Sequence, residues 1–280
     1  VDGGSTDNTL SAISNFQFPN FNKKIRVRVI VKKGNRSVGR NEAIRNSTGD
    51  IIACSDAGCI LDKDWLKNIV KPFSDPKVDV VSGYYKGMAK SAFEKALVPF
   101  ALVMEDKLDA NNFLPATRSV AFKKNIWKKV GGFDEKLSNN EDYVFARKLK
   151  KIGAKILFAK DAVVFWKPRK NLKDAFVMFY RFAKGDAESG IIRPKVVFIL
   201  GRYIAGFLAV FLLFYTHSLF LVVLILVLFI NYVLWAALKN YKYVDNLLSV
   251  FYLIALQFLS DFAVIAGTLS GLISRLGKRS

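Results

Sequence analysis

VDGGSTDNT, residues 1–9, is the stretch on which the reading of the fold turns. Val1 and Asp2 read as the end of a strand, Gly3 and Gly4 as a tight turn, and Ser5 to Thr9 as the capped start of a helix. A strand that passes through glycines into a helix is the repeating joint of an α/β sheet. The turn then lies at the carboxyl edge of the strands, where open sheets bind their ligands. The same residues can also be a plain connection in which Thr6 or Asp7 caps the helix.

Outward from this joint, short β-rich runs at 25–31, 50–54, 78–85, 119–122 and 155–158 alternate with helical patterns at 41–46, 64–72, 124–130 and 142–152. That alternation predicts an α/β domain with a mainly parallel sheet, reaching to about residue 192. A shorter amphipathic piece, 172–184, leads through Pro194 into a different kind of chain.

Over half of the residues, 52%, are hydrophobic, and they are unevenly spread. From Val196 to Leu238 the only formal charge is Arg202, over about 43 residues or roughly 64 Å of helix, twice the hydrocarbon thickness of a bilayer. A helical hairpin turning near Thr216, His217 and Ser218 is the economical reading, with spans at about 196–215 and 217–238. A third apolar tract, 247–273, carries Asp261 near its middle. That aspartate either faces other helices or marks a re-entrant or interfacial element.

The formal net charge of +20 falls mostly before these tracts, as at Lys123, Lys124, Lys128 and Lys129. Basic residues beside membrane spans favour the cytoplasmic side, so an integral membrane protein with its α/β domain in the cytoplasm is expected. The Thr216–Ser218 turn then lies outside and Lys239 to Lys242 return inside. Arg275, Lys278 and Arg279 oppose a third crossing, which favours the re-entrant or interfacial form for that tract. No nucleic-acid-binding motif is present, and nucleic acid is not an expected partner. Two cysteines, Cys54 and Cys59, with one histidine cannot make a zinc site by themselves, so free thiols in a reducing compartment are expected.

Four segments in order carry the chemistry: VDGGSTDNT from Val1, GRNEAIRNSTGDIIACSDAG from Gly39, RSVAFKKNIWKKVGGFDE from Arg118 and NNEDYVFARKLKKIG from Asn139. This ordered set resembles the GT-A domain of family 2 glycosyltransferases over almost all of residues 1–190. The resemblance implies transfer of a sugar from a nucleoside diphosphate donor with inversion at the anomeric carbon. It also implies a further strand and helix before Val1, and hence a chain truncated at its N-terminus.

Residue by residue, the resemblance places Asp2 and Arg40 at the nucleotide and Asp56 at the family's DxD motif. Relatives often carry a second aspartate where this chain has Gly3. The DxD motif needs two carboxylates because a hard divalent cation, Mg or Mn, wants oxygen ligands. Here the run is Asp56, Ala57, Gly58, which leaves Asp56 as the sole metal candidate. Where relatives often hold a ligating histidine, this chain reads Val163, Val164, Phe165, Trp166. Asp142 matches the family's catalytic base, with Glu141 beside it to orient acceptor or loop. An acidic pair at a helix start can also serve only the helix dipole, and Arg40 taken alone can be a surface arginine. Trp127 and Phe133 read as core. The processive relatives' QxxRW motif has its nearest match at Met178 to Phe182, without the glutamine or the tryptophan, which implies transfer of one or few sugars. The membrane tracts and basic surface suggest a lipid acceptor such as a polyprenyl phosphate or lipid-linked glycan. The alternative is a non-catalytic scaffold in a polysaccharide assembly complex, prompted by Gly58.

Overall fold

The computed structural model describes residues 1–15, 27–244 and 246–277. Its first stretch runs α1 (Thr9–Asn15), α2 (Arg36–Asn46), β1 (Ile51–Cys54), β2 (Cys59–Leu61) and α3 (Trp65–Val70). Then come β3 (Val80–Gly87), α4 (Ala92–Ala101), β4 (Val120–Lys123), α5 (Lys124–Lys129), α6 (Glu141–Lys151) and β5 (Ile156–Trp166). Four long helices close the chain: α7 (Leu172–Glu188), α8 (Pro194–Thr216), α9 (Leu219–Leu238) and α10 (Leu247–Leu276). The first part of the strand expected at 25–31 lies outside the described residues, as do Lys278 and Arg279.

Two compact units share these elements. The first comprises residues 1–55, 63–83 and 114–162; the second comprises 56–62, 84–113 and 163–280. Strand order in the sheet is β1-β4-β3-β5-β2.

The sheet is mixed, which corrects the expectation of a mainly parallel one. β4 runs antiparallel to both β1, with Ile52 opposite Phe122, and β3, with Val80 opposite Phe122. The reason lies in the path of the chain. It leaves the first unit at Gly83 and returns so that the Ser119 carbonyl accepts from the Gly83 N–H at 2.8 Å. β4 therefore sets off from where β3 departs, whereas a parallel partner needs a crossover back to the far end. Gly83 is required there, because a Cβ would sit 2.0 Å from Ser119 Oγ. The isolated bridge between Asp2 and Val31 is parallel.

Ile44, Ile52, Val80, Val120, Phe122, Trp127, Phe133, Phe145 and Leu149 form the core of the first unit, drawn from α2, the sheet, α5 and α6. Phe133 lies against Phe145 with centroids 4.3 Å apart, so the loop before α6 is fixed by the helix it precedes. Trp127 and Phe133 are thus core residues, as their surroundings in the sequence predict.

In the second unit, β2 pairs antiparallel with the end of β5. Neither β2 nor the extension of β5 past residue 158 is expected from sequence. Among the described residues, three helices are long and apolar enough to cross a membrane: Pro194–Thr216, Leu219–Tyr243 and Leu247–Leu276. His217, in the left-handed region with φ 48°, turns α8 into α9.

α10 is one unbroken helix of 30 residues, which excludes a re-entrant hairpin at Asp261. Along one end it packs on α4, with Phe93 edge-on to Tyr252 and Ser249 Oγ donating to the Ala92 carbonyl at 3.2 Å. Along the other it packs on α7 at close range. A Cβ at Gly267 would meet the Tyr180 carbonyl at 2.4 Å, and one at Gly271 the Lys184 carbonyl at 2.5 Å. Small residues on both helices, Gly267 and Gly271 against Ala183 and Ala187, let the backbones approach this closely.

Candidate active site

The site of the first unit is built along one face of α2. Ser37, Asn41 and Ile44 fall on that face at helical spacing and are buried. Asn35 caps the helix by accepting from the Val38 N–H at 3.1 Å, and its amide donates to the Glu135 carbonyl at 2.7 Å. Ser37 Oγ donates to the Leu137 carbonyl, and Arg36 to the Ser138 carbonyl at 2.8 Å and to Asn139 Oδ1 at 3.0 Å. Residues 133–141 are in this way stitched to the helix step by step.

Asn41 is the strongest stitch. Its Oδ1 accepts from the Phe133 N–H at 3.0 Å and from Trp127 Nε1 at 3.2 Å. Its Nδ2 donates to the Phe133 carbonyl and to Glu135 Oε1, each at 2.8 Å. Gly132, at φ 68°, presses so near this amide that a Cβ would lie 2.8 Å from Asn41 Oδ1. The GlyGlyPhe turn after α5 is therefore a demand of the backbone.

The stitched loop ends at Asn140, which occupies the left-handed region with φ 64°. Asparagine tolerates this conformation better than most residues, and such outliers gather at functional sites. The turn delivers Glu141 and Asp142 into the first turn of α6, where unpaired N–H groups and the dipole favour negative charge. Arg40 Nη1 donates to Glu141 Oε1 at 2.5 Å, and Arg36 Nε stands 3.7 Å from the same oxygen. Glu141 is 2% exposed, and its Oε2 has no hydrogen-bond partner among the described residues. Phe133 lies under the Arg40 guanidinium at 5.7 Å.

Asp142 receives the N–H of Tyr143 at 2.8 Å. Burial raises its pKa, the neighbouring Glu141 charge raises it further, and Arg118, the Tyr143 N–H and Arg40 pull weakly the other way. A carboxylate destabilised in its charged form takes up a proton more readily, which suits a general base.

Asp2 also belongs to this unit. Its backbone joins the segment after residue 29 through Asp2 N–H to the Ile30 carbonyl and Lys32 N–H to the Asp2 carbonyl, both 2.8 Å. The side chain is buried and accepts from the N–H groups of Gly4 at 2.9 Å and Ser5 at 2.8 Å and from the Ser5 hydroxyl. Those donors, the hydroxyl first, hold its pKa below the ordinary carboxylate value. Asp2 thus builds the glycine turn with its own carboxylate, a task that the motif alone does not announce. Asp7 caps α1, accepting from the Thr9 N–H at 3.0 Å.

Asp56 sits in the second unit, opening a turn in which the Cys59 N–H donates to the Asp56 carbonyl at 2.9 Å. β2 follows directly and pairs Cys59 with Trp166 and Leu61 with Val164. The run 163–166 is therefore beside the strand that leaves the Asp56 turn, and it supplies no oxygen, sulfur or imidazole ligand from its side chains. Among the described residues no three or more His, Cys, Asp or Glu side chains gather as a metal site. Asp56 alone does not fit a preformed divalent cage. A Cβ on Gly58 would meet nothing within 4 Å, so the second carboxylate is missing without being sterically barred. Cys54 and Cys59 form no disulfide.

Arg36 and Ser37 are site residues outside the motifs, and Asn41 and Glu135 lie inside two of them without their stitching role being announced there. Their signal in the sequence is faint: two polar residues, Ser37 and Asn41, in helical line with Ile44 where an apolar stripe would continue.

Residues 1–124 match the profile of Glycosyl transferase family 2. The chain is 24% identical over 218 residues to Glycosyltransferase AglE of Haloferax volcanii, covering 74% of this chain and 69% of that protein. It is 35% identical over 89 residues to the Uncharacterized glycosyltransferase YfnE of Bacillus subtilis, covering 30% of this chain and 21% of that protein. Among solved structures, the Mannosyltransferase PcManGT from Pyrobaculum calidifontis, in complex with GDP-Man and Mn2+, shares the fold with a TM-score of 0.61 at 18% identity. The match covers 92% of this chain and 76% of that one. The chain thus combines a GT-A-like fold and a desolvated acidic pair at the head of α6 with a first part, residues 1–124, that is similar to family 2 glycosyltransferases.

Proposed function

We propose that this enzyme moves a sugar from a nucleoside diphosphate donor to an acceptor at the cytoplasmic face of a membrane, with inversion, and adds one or few sugars rather than a long chain. The observation that carries the mechanism is the raised proton affinity of Asp142 at the head of α6. In the transfer the acceptor hydroxyl oxygen attacks the anomeric carbon from the face opposite the diphosphate. The bond from that carbon to the diphosphate oxygen breaks, the nucleoside diphosphate departs, and the hydroxyl proton passes to the Asp142 carboxylate. Glu141, held by Arg40, keeps the loop and the base in register. Asp2 and Asp56 are read as donor-side residues, Asp2 through the shape it gives the glycine turn.

The donor class is supported by the nucleotide sugar in the Pyrobaculum structure. The manganese there belongs to that protein. Here the donor set around Asp56 is too poor for a cage, and no step is routed through a metal. The three apolar helices and the basic residues before them support membrane attachment and a lipid-borne acceptor such as a polyprenyl phosphate or lipid-linked glycan.

The test pairs donor titration by calorimetry with transfer to a lipid acceptor, using wild type and Asp142→Asn. Retained donor binding with transfer lowered about 10²–10⁴-fold is expected, the range a positioned base supplies. Near wild-type transfer in the variant would remove Asp142 as base. Failure of the wild type to bind any donor would favour the scaffold reading that Gly58 prompts.

A further inference from the structure

Around Asp261 the balance of charge does not close. Asp261, fully buried on α10, accepts from Arg202 of α8 at 2.6 Å, from Tyr232 of α9, and from Gln257 at 2.9 Å. One carboxylate is thus used by one guanidinium. Lys239, at the end of α9, donates to the neutral Gln257 Oε1 and stacks on Trp235 at 4.4 Å. Lys195, at the start of α8, feels the fields of Asp261 and Arg202 yet makes no hydrogen bond or ion pair among the described residues. Arg202 Nε is buried without a hydrogen-bond partner among them. Arg202, Lys195 and Lys239 are therefore three cations on α8 and α9 whose common buried anion is Asp261, and Arg202 Nε is left unused.

Position sharpens the point. Lys195 and Lys239 stand at the same end of the α8–α9 hairpin, opposite the His217 turn, and Arg202 follows Lys195 by two helical turns on one face, roughly 10 Å. Surplus positive charge at the rim of a spanning bundle, with one step inward, costs free energy unless an anion joins it. Guanidinium and ammonium groups at this depth suit the phosphate of a lipid, which arrives in the plane of the membrane.

We infer that Lys195, Arg202 and Lys239 form a binding site for the phosphate group of a membrane lipid, completed by that phosphate. The site shares no residue with the acidic pair of α6, and its test reads binding rather than sugar transfer, so its failure leaves the transferase reading intact.

The whole chain would be placed in phosphatidylcholine nanodiscs doped with phosphatidic acid or with a polyprenyl monophosphate, and bound lipid counted by native mass spectrometry. Inorganic phosphate titrated into protein in neutral detergent is the soluble arm. Wild type is expected to retain a phosphomonoester lipid over phosphatidylcholine, and Lys195→Gln with Arg202→Gln to bind it about thirtyfold more weakly, at about one charge-contact each. Asp261→Asn, which removes the one anion, is expected to hold the lipid as well as wild type or better. A cluster that is only an internal ion pair would show no lipid preference in wild type, or equal retention by the double variant at an unchanged melting temperature; either result overturns the inference. Inorganic phosphate bound as tightly as the lipids would overturn the lipid assignment. Lys195→Gln alone, altering an exposed side chain, reports the same direction if Arg202→Gln disturbs the bundle.

Discussion

Two buried carboxylates held by arginines, Glu141 in the first unit and Asp261 in the second, stand among different neighbours. Beside α6, Arg40 reaches Glu141 while a second carboxylate, Asp142, stands next to it, and burial together with the Glu141 charge raises the proton affinity of Asp142. In the helical bundle, Arg202 reaches Asp261 while Lys195 and Lys239 stand near, so positive charge is in surplus. On the readings proposed above, one arrangement receives a proton and the other an anion. A buried ion pair by itself therefore says little; the unpaired charge beside it decides what the place can do.

The sharpest way to break that contrast is Asp142→Asn. Transfer should fall about 10²–10⁴-fold, or about 3–5 kcal/mol in barrier. Because the folded-state pKa of Asp142 is raised above its ordinary 3.8, its charged form opposes folding. The stability linked to its protonation is present below that ordinary value and is lost as pH rises through the folded one. The Asn variant should accordingly melt at the same temperature as wild type or higher at pH 7, with any gain vanishing at acid pH. A variant that lost both activity and stability would contradict this account. By the same sign, the acid limb of the wild-type transfer rate should lie above the ordinary aspartate range, since the base works only when deprotonated; a limb near 3.8 would count against it.

Next in size is Asn41→Leu. It strands the Trp127 and Phe133 N–H groups and a buried carbonyl, and should cost about 3 kcal/mol, read by denaturant unfolding. On the bundle side, Gly267→Ala forces a Cβ toward the Tyr180 carbonyl and should cost about 1–3 kcal/mol by thermal melting in detergent. The smallest effect is expected at Gly58→Asp, which meets no neighbour: stability within about 0.5 kcal/mol of wild type, with tighter Mn2+ binding by the donor complex in calorimetry. A fold lost on that change would show that the turn needs glycine.

What the sequence discloses is local. Four motifs, the apolar tracts and the helix starts are all written in neighbouring residues, and the elements stand close to where those patterns place them. What it withholds is pairing. Nothing near Arg40 announces that its partner is 101 residues away, and nothing near Asn41 announces a turn after Trp127. β2, three residues long, is too short to show a period, and the direction of β4 follows from where the chain re-enters rather than from its composition. Asp261 suggests a break in the third tract because its neutralising partners lie on α8 and α9, out of view of any window. The carboxylate of Asp2 looks open to ligand in the motif because its donors, Gly4 and Ser5, count there only as turn formers.

The close seam between α7 and α10 has a practical consequence for anyone who wishes to prepare this enzyme in water. Hydropathy invites a cut near residue 192, ahead of the long apolar helices. Such a cut would remove Gly267 and Gly271 from beneath α7 and Tyr252 from Phe93, laying bare Ala175, Met178, Phe179 and Ala183. The trimmed protein should come out of the cell aggregated. A soluble form calls for keeping α10 and repainting its outward face, with Phe251, Phe262 and Ile273 as the first residues to make polar.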